Sequence, residues 1–239
     1  MPYYTYTSGF ELNYIVILIP ILIFSLYAQM KVQGTFQKYN QVANARHMTG
    51  YDAARLILDR NGLSGVQIER VKGNLTDHYD PKANVVRLSE SVYGTASIAA
   101  VGVAAHEAGH AVQYAVGYGP IKLRMSIVSV TQFASKWAVW ILMAGLLFSF
   151  GTLAYVGFWL YAVVAFFQLV TLPVEFNASS RALLALEEGG ALDREELSGA
   201  KKVLSAAAMT YVAALLSALV QLLRLWMIIS SSNSRSRRR

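Results

Sequence analysis

The chain has no cysteine among its 239 residues. Disulfides and cysteine-ligated metals are therefore excluded, although this does not decide the compartment. Charge is also scarce. Charged residues make up 15% of the chain, against about a quarter in ordinary soluble domains. Hydrophobic residues make up 55%, and the mean hydropathy is +0.38. The missing charge is concentrated in three runs: Leu12 to Met30 (19 residues), Trp137 to Val174 (38 residues) and Val203 to Leu223 (21 residues).

A helix needs about 20 apolar residues to cross roughly 30 Å of hydrocarbon. The first and third runs each make one span. The second makes two, with a break near Gly151-Thr152, so four transmembrane helices are expected. The chain also lacks a basic N-terminus. "MPYYTYTSGFELN" carries no Lys or Arg, which argues against a cleaved signal peptide and for a retained anchor with interfacial Tyr residues.

The expected fold is a membrane α-helical protein with a small α+β domain. Its segments read as an N-terminal anchor (1–30), the α+β domain (31–125), a transmembrane hairpin (126–174), a helix segment (175–202), a fourth transmembrane helix (203–229) and a basic, disordered tail (230–239). Within the domain, Thr49 caps a helix carrying Ala53, Ala54, Ile57 and Leu58 on one face, and "NGLSG" ends it. "VQIERV" alternates and reads as a strand. Asp80-Pro81 reads as a turn, followed by a strand from Asn84 to Leu88. Ser89 and Ser91 are candidate caps for the next element.

The net charge is +7 and the pI about 9.6. The basic residues lie beside the spans, where anionic headgroups and the positive-inside bias account for them. There is no nucleic-acid motif, so no nucleic-acid partner is expected. The expected partners are the lipid bilayer and a protein or peptide substrate. Nothing in the sequence sets an oligomeric state.

What the chain does have is "AAHEAGHAV", residues 104–112. Residues i and i+4 share a helix face, so His106 and His110 can grip one Zn2+ ion. Glu107 can then act as general base on a water activated by that ion. His-Glu-x-x-His on a helix is a signature of this chemistry. The plain alternative is two histidines on an Ala-rich helix. Against it, the helix from about Ser97 to Tyr118 is otherwise uncharged, so Glu107 would be costly there without a metal or a partner. Gly109 would let another element approach closely.

The third ligand is sought downstream, because His47 and His78 both precede the motif on no recognised pattern. Glu175, in "LPVEFNASSRALLALEE", closes the long apolar run. It is expected at a membrane edge, at the start of a new helix after Pro173. Two spans separate it from His110, which puts both on one side. Spacing alone leaves a ligand and a helix-start carboxylate equally open.

"HEAGH" followed by "EFNAS" resembles the gluzincin membrane metallopeptidases, the group of the heat-shock protease X-type and CaaX-prenyl-type enzymes. "LTDHYDP", "VRLSESVYG", "SIAAVGVAAHEAGHAVQ", "TLPVEFNAS" and "LSAAAMTYVAALLSAL" are similar to the YugP-like bacterial neutral zinc metallopeptidases, over nearly the whole chain. The resemblance implies His106, His110 and Glu175 as ligands and Glu107 as base. The wider group has Asp where this chain has Ser179, so Ser179, Asn177 or another residue must orient a ligand histidine. Arg181, His78 and Tyr79 are candidates for transition-state or substrate contacts. The strand "NVVRLS" reads either as an edge that pairs with an extended substrate or as an ordinary sheet strand.

The expected function is that of a membrane-embedded zinc endopeptidase, with a zincin-like catalytic domain over 31–125 and the third ligand on the helix segment 175–202. One alternative is a site-2-type intramembrane protease, although its distal Leu-Asp-Gly motif is absent and the nearest stretch is "ALDRE". The other is a non-catalytic zinc-binding membrane protein. For orientation, the site side carries Lys31, Lys38, Lys122, Arg124, Lys136, Arg181, Lys201 and Lys202. The opposite side carries Arg224, Arg235, Arg237, Arg238 and Arg239. Eight against five places the active site in the cytoplasm, with both termini outside a multi-pass cell-membrane protein.

Overall fold

The computed structural model describes residues 4–148 and 150–236, with side chains from 16 to 230, Ser149 excepted. Helix α1 (Tyr4–Asn40) is followed by α2 (Gly50–Arg60) and strands β1 (Gln67–Val71), β2 (His78–Asp80) and β3 (Val85–Ser89). Then come the short α3 (Glu90–Tyr93), α4 (Ile98–Ala115), α5 (Gly119–Leu147), α6 (Gly151–Glu188) and α7 (Arg194–Ser236). Among the described residues, four helices are long and apolar enough to cross a membrane: α1 over Val16–Asn40, α5, α6, and α7 over Arg194–Ser230. The break between the middle two falls at 148–150, close to the expected Gly151.

The chain divides into two units. The first takes residues 1–27, 123–171 and 211–239. Within it α5 and α6 run against each other without side chains in the way: a Cβ on Gly157 would strike Leu142, and one on Gly145 would strike Ala154. Leu142 and Ala154 are buried with Leu225 and Ile229 of α7.

The second unit takes 28–122 together with 172–210. Its core joins Ile57 and Leu58 of α2, Val86 and Leu88 of β3, the alanines of α4, Ala182 and Leu186 of α6, and Ala200 and Leu204 of α7. Helix α2 begins at the expected cap, and the cap is reciprocal. The Thr49 hydroxyl accepts from the Asp52 amide at 3.2 Å, and the Asp52 carboxylate accepts from the Thr49 amide at 2.9 Å. Ser97 caps α4 by accepting from the Ala100 amide at 3.1 Å. Ser89 precedes α3 but does not cap it; its hydroxyl donates to Asp77.

Three expectations are corrected here. The strand carrying "NVVRLS" is not an edge: the sheet order is β1-β3-β2, with β3 parallel to β1 and antiparallel to β2. The residues explain this. Val85, Val86 and Leu88 do not alternate with polar residues, and both faces of β3 are buried, as suits a central strand. The turn read at Asp80-Pro81 is present over residues 81–84, and the residues just before it supply the missing neighbour β2, too short at three residues to show a period of its own.

Second, Glu175 does not start a helix. It lies inside α6, which runs through Pro173 unbroken. Proline removes one ladder hydrogen bond, but packing within a membrane helix bundle tolerates the loss.

Third, the segment 175–202 is not one piece. α6 ends at Glu188, the chain turns at Gly190 with φ +57, and α7 starts at Arg194. Glu196 fixes that start by accepting from the Asp193 amide at 2.9 Å. At the other end α7 continues to Ser236, over most of the tail expected to be disordered; residues 237–239 lie outside the described residues.

Candidate metal centre

The centre is built where α4 meets the part of α6 from Leu172 onward, all within the second unit. His106 and His110 lie one turn apart on α4, with ring centroids 4.7 Å from each other. Gly109 sits between them in sequence and explains the close approach of α6. A Cβ at 109 would stand 2.9 Å from the backbone oxygen of Ala178, three residues past Glu175. Absence of a side chain there lets α6 bring Glu175 over the two histidines.

Glu175 Oε2 lies 3.2 Å from His106 Nε2 and 3.6 Å from His110 Nε2. The three form the His/His/carboxylate cluster of this chain, found among the described residues, with all ligand atoms within 4.8 Å of one another. Ligands about 2.0–2.2 Å from a tetrahedral zinc stand roughly 3.3–3.6 Å apart. The spacing and the nitrogen-and-oxygen donor set therefore fit zinc. Three protein ligands also match the open arrangement of a catalytic ion, not the closed four-ligand structural kind.

The Nδ1 atoms, turned away from the cluster, are both partnered. Ser179 Oγ lies 3.1 Å from His106 Nδ1. The serine thus stands where the sequence left Ser179, Asn177 or another residue open. His110 Nδ1 lies 3.0 Å from Gln113 Oε1. Gln113 is wholly buried, and sequence reasoning passed over it. Its signal was a long amide three residues after His110 in a helix otherwise made of small and apolar side chains.

Burial works against charge on the His110 ring. The hydrogen bond with Glu175 and the negative charges of Glu107 and Glu175 outweigh it, so its pKa lies above the ordinary histidine value. Glu107 is buried beside the cluster and has no hydrogen-bond or ion-pair partner among the described residues. Its carboxylate acts on His110 through its charge and is bonded to no described side chain.

The remaining candidates do not touch the three ligand atoms. His78, on β2, is exposed and its Nδ1 is 2.9 Å from the Thr76 carbonyl. Tyr79 packs edge-on against Tyr114 of α4, with centroids 6.3 Å apart, and its hydroxyl donates to Asn84 at 3.2 Å. Tyr114 lies four residues beyond His110 on the same helix face, so β2 borders the site. The Arg181 Nε donates to Asn177 Oδ1 at 2.8 Å.

Residues 14–230 match the family described as "Putative neutral zinc metallopeptidase". The chain belongs to that family. It is 49% identical over 215 residues to the "Putative membrane protease YugP" of Bacillus subtilis (strain 168), a match that covers 90% of this chain and 96% of the Bacillus protein. No solved structure matches the chain. Family membership points to zinc as the metal for the cluster at His106, His110 and Glu175, and the relative's description agrees with the four membrane-length helices found here.

Proposed function

We propose that the chain is a membrane-embedded zinc endopeptidase of the gluzincin type, with His106, His110 and Glu175 as ligands and Glu107 as general base. One observation carries the reading: a largely buried His/His/Glu cluster with zinc-like distances to Glu175, beside the Glu107 carboxylate, which no described side chain hydrogen-bonds. Bound zinc supplies Lewis acidity, polarising a peptide carbonyl and acidifying water. Glu107 takes the proton of the attacking water and delivers it to the leaving amine. Ser179 and Gln113 hold the two rings. An extended peptide would pair with β2, the edge strand bordering α4, in place of the buried β3.

The site-2-type alternative needs the motif helix to cross the bilayer. α4 is not among the helices long and apolar enough to do so, which favours a site at the membrane surface. A purely structural zinc site is disfavoured by that Glu107 carboxylate. We further propose a multi-pass cell-membrane protein with its active site in the cytoplasm, on the balance of basic residues beside the spans, acting on protein or peptide and not on nucleic acid. Purified protein should hold one zinc per chain and degrade casein, and a chelator should abolish the degradation. A metal-free preparation with full activity would refute the reading.

A further inference from the structure

The polar chain behind His110 has a direction. Gln113 Nε2 donates to the Val174 carbonyl at 2.8 Å and to Asn177 Oδ1 at 3.0 Å. A backbone carbonyl only accepts, so the amide cannot be turned round. Asn177 is fixed in the same sense, because the Arg181 guanidinium only donates and its Nε meets the same Oδ1 at 2.8 Å. With both amides oriented, the group facing His110 Nδ1 at 3.0 Å is the Gln113 oxygen, an acceptor. His110 must therefore carry its proton on Nδ1. In the neutral ring that a metal ligand requires, the lone pair then falls on Nε2, which lies 3.6 Å from Glu175 Oε2.

We propose that Gln113 is a positioning residue that fixes the tautomer and ring angle of His110 for zinc, and that Asn177 and Arg181 orient Gln113 for this task. The proposal rests on the reading of His110 as a zinc ligand. It assigns Arg181 a place behind the metal centre, in addition to any contact with substrate. It also explains why an amide is buried in a helix of small apolar residues. Val174 and the Gln113 side chain bind α4 to α6 one residue before Glu175, so the two ligand-bearing helices are registered at the ligands themselves.

Removal of such a partner costs about 10–100-fold in metal affinity in zinc sites generally. Gln113→Met keeps the volume and removes the acceptor. The Val174 carbonyl still has the α6 ladder and Asn177 still has Arg181, so only His110 Nδ1 is stranded. Gln113→Glu keeps an acceptor but buries a carboxylate. Zinc affinity of the full-length protein in detergent, measured by chelator competition, should fall in the order wild type, Gln113→Glu, Gln113→Met, with the last lower by about 10–100-fold. A role in packing alone gives the opposite order for the two variants, since methionine suits a buried site and a carboxylate does not.

The unaltered protein offers a second readout that does not depend on a variant folding. Labelled with nitrogen-15 at its four histidines and loaded with zinc, it should show a His110 ring N–H protected from solvent exchange. Rapid exchange of that proton, or Gln113→Met binding zinc as tightly as wild type, would overturn the proposal. Zinc retained in His110→Ala would remove the ligand reading beneath it, whereas an empty His110→Ala beside a fully loaded Gln113→Met would overturn the proposal alone.

Discussion

Gly109 of α4 faces the Ala178 backbone of α6 so closely that a Cβ there would lie 2.9 Å from the Ala178 oxygen. The metal centre depends on this contact, because α6 carries Glu175 to histidines that α4 presents. Gly109→Ala gains about 1 kcal/mol of helix propensity, but displacing a packed backbone costs about 1–3 kcal/mol. The expected result is a protein of lower thermal stability with weakened zinc binding. Gly34→Ala, where nothing lies within 4 Å of the new methyl, serves as the control and should be neutral or stabilising by up to about 1 kcal/mol. Equal behaviour of the two variants would mean that the close approach does not set the site.

Ser179 holds the position that carries Asp in the wider group the sequence resembles, and its hydroxyl lies 3.1 Å from His106 Nδ1. Ser179→Ala should weaken zinc binding by about 10–100-fold. Ser179→Asp should bind zinc at least as well as wild type, because a carboxylate accepts from the ring more strongly than a hydroxyl. Chelator competition on the three proteins checks the order. An unaffected Ser179→Ala would show that His106 needs no such support.

Acid should release the metal early. In the metal-free protein the proton on His110 is held above the ordinary histidine value of 6.5 by Glu175 and Glu107, against the effect of burial. A raised histidine pKa stabilises the metal-free fold below the unfolded value, and that contribution is lost as pH rises through the folded value. Zinc must displace the same proton. The stabilisation conferred by zinc should therefore shrink as pH falls, beginning above pH 6.5. Melting temperatures with and without zinc, taken between about pH 8 and about pH 5.5, test this; a difference that grows toward acid would contradict it.

Orientation can be read directly, because the chain has no cysteine to mask. Single cysteines at Ser64 and Ser232 should respond differently to a membrane-impermeant thiol reagent in intact cells. Labelling at 232 and none at 64 is expected for a cytoplasmic active site. Labelling at 64 alone reverses the orientation, and labelling at neither means that the last helix does not cross.

Much of the fold was legible in the residues. The N-terminal cap and apolar period of α2, the extent of the helix from Ser97, and the charge-free runs of the membrane helices speak through local spacing. So does the pairing of His106 with His110. What stayed hidden depends on partners remote in sequence. Val85 to Leu88 read as a strand, but its central place required β2, which is too short to show alternation. Pro173 signalled a helix break that packing overrode. The links from Ser179 to His106 and from Gln113 to Val174 and Asn177 span more than sixty residues of chain, and only the approach of α6 at Gly109 creates them.

The most direct test sets two variants side by side: zinc content and casein degradation of Glu175→Ala and Glu107→Gln. Glu175→Ala removes one of three ligands and should lose both metal and activity. Glu107→Gln removes a proton carrier and should keep one zinc per chain while its activity falls by about a hundredfold or more. Zinc retained at normal affinity in Glu175→Ala, or lost in Glu107→Gln, would contradict the assignment of ligand and base on which the whole account stands.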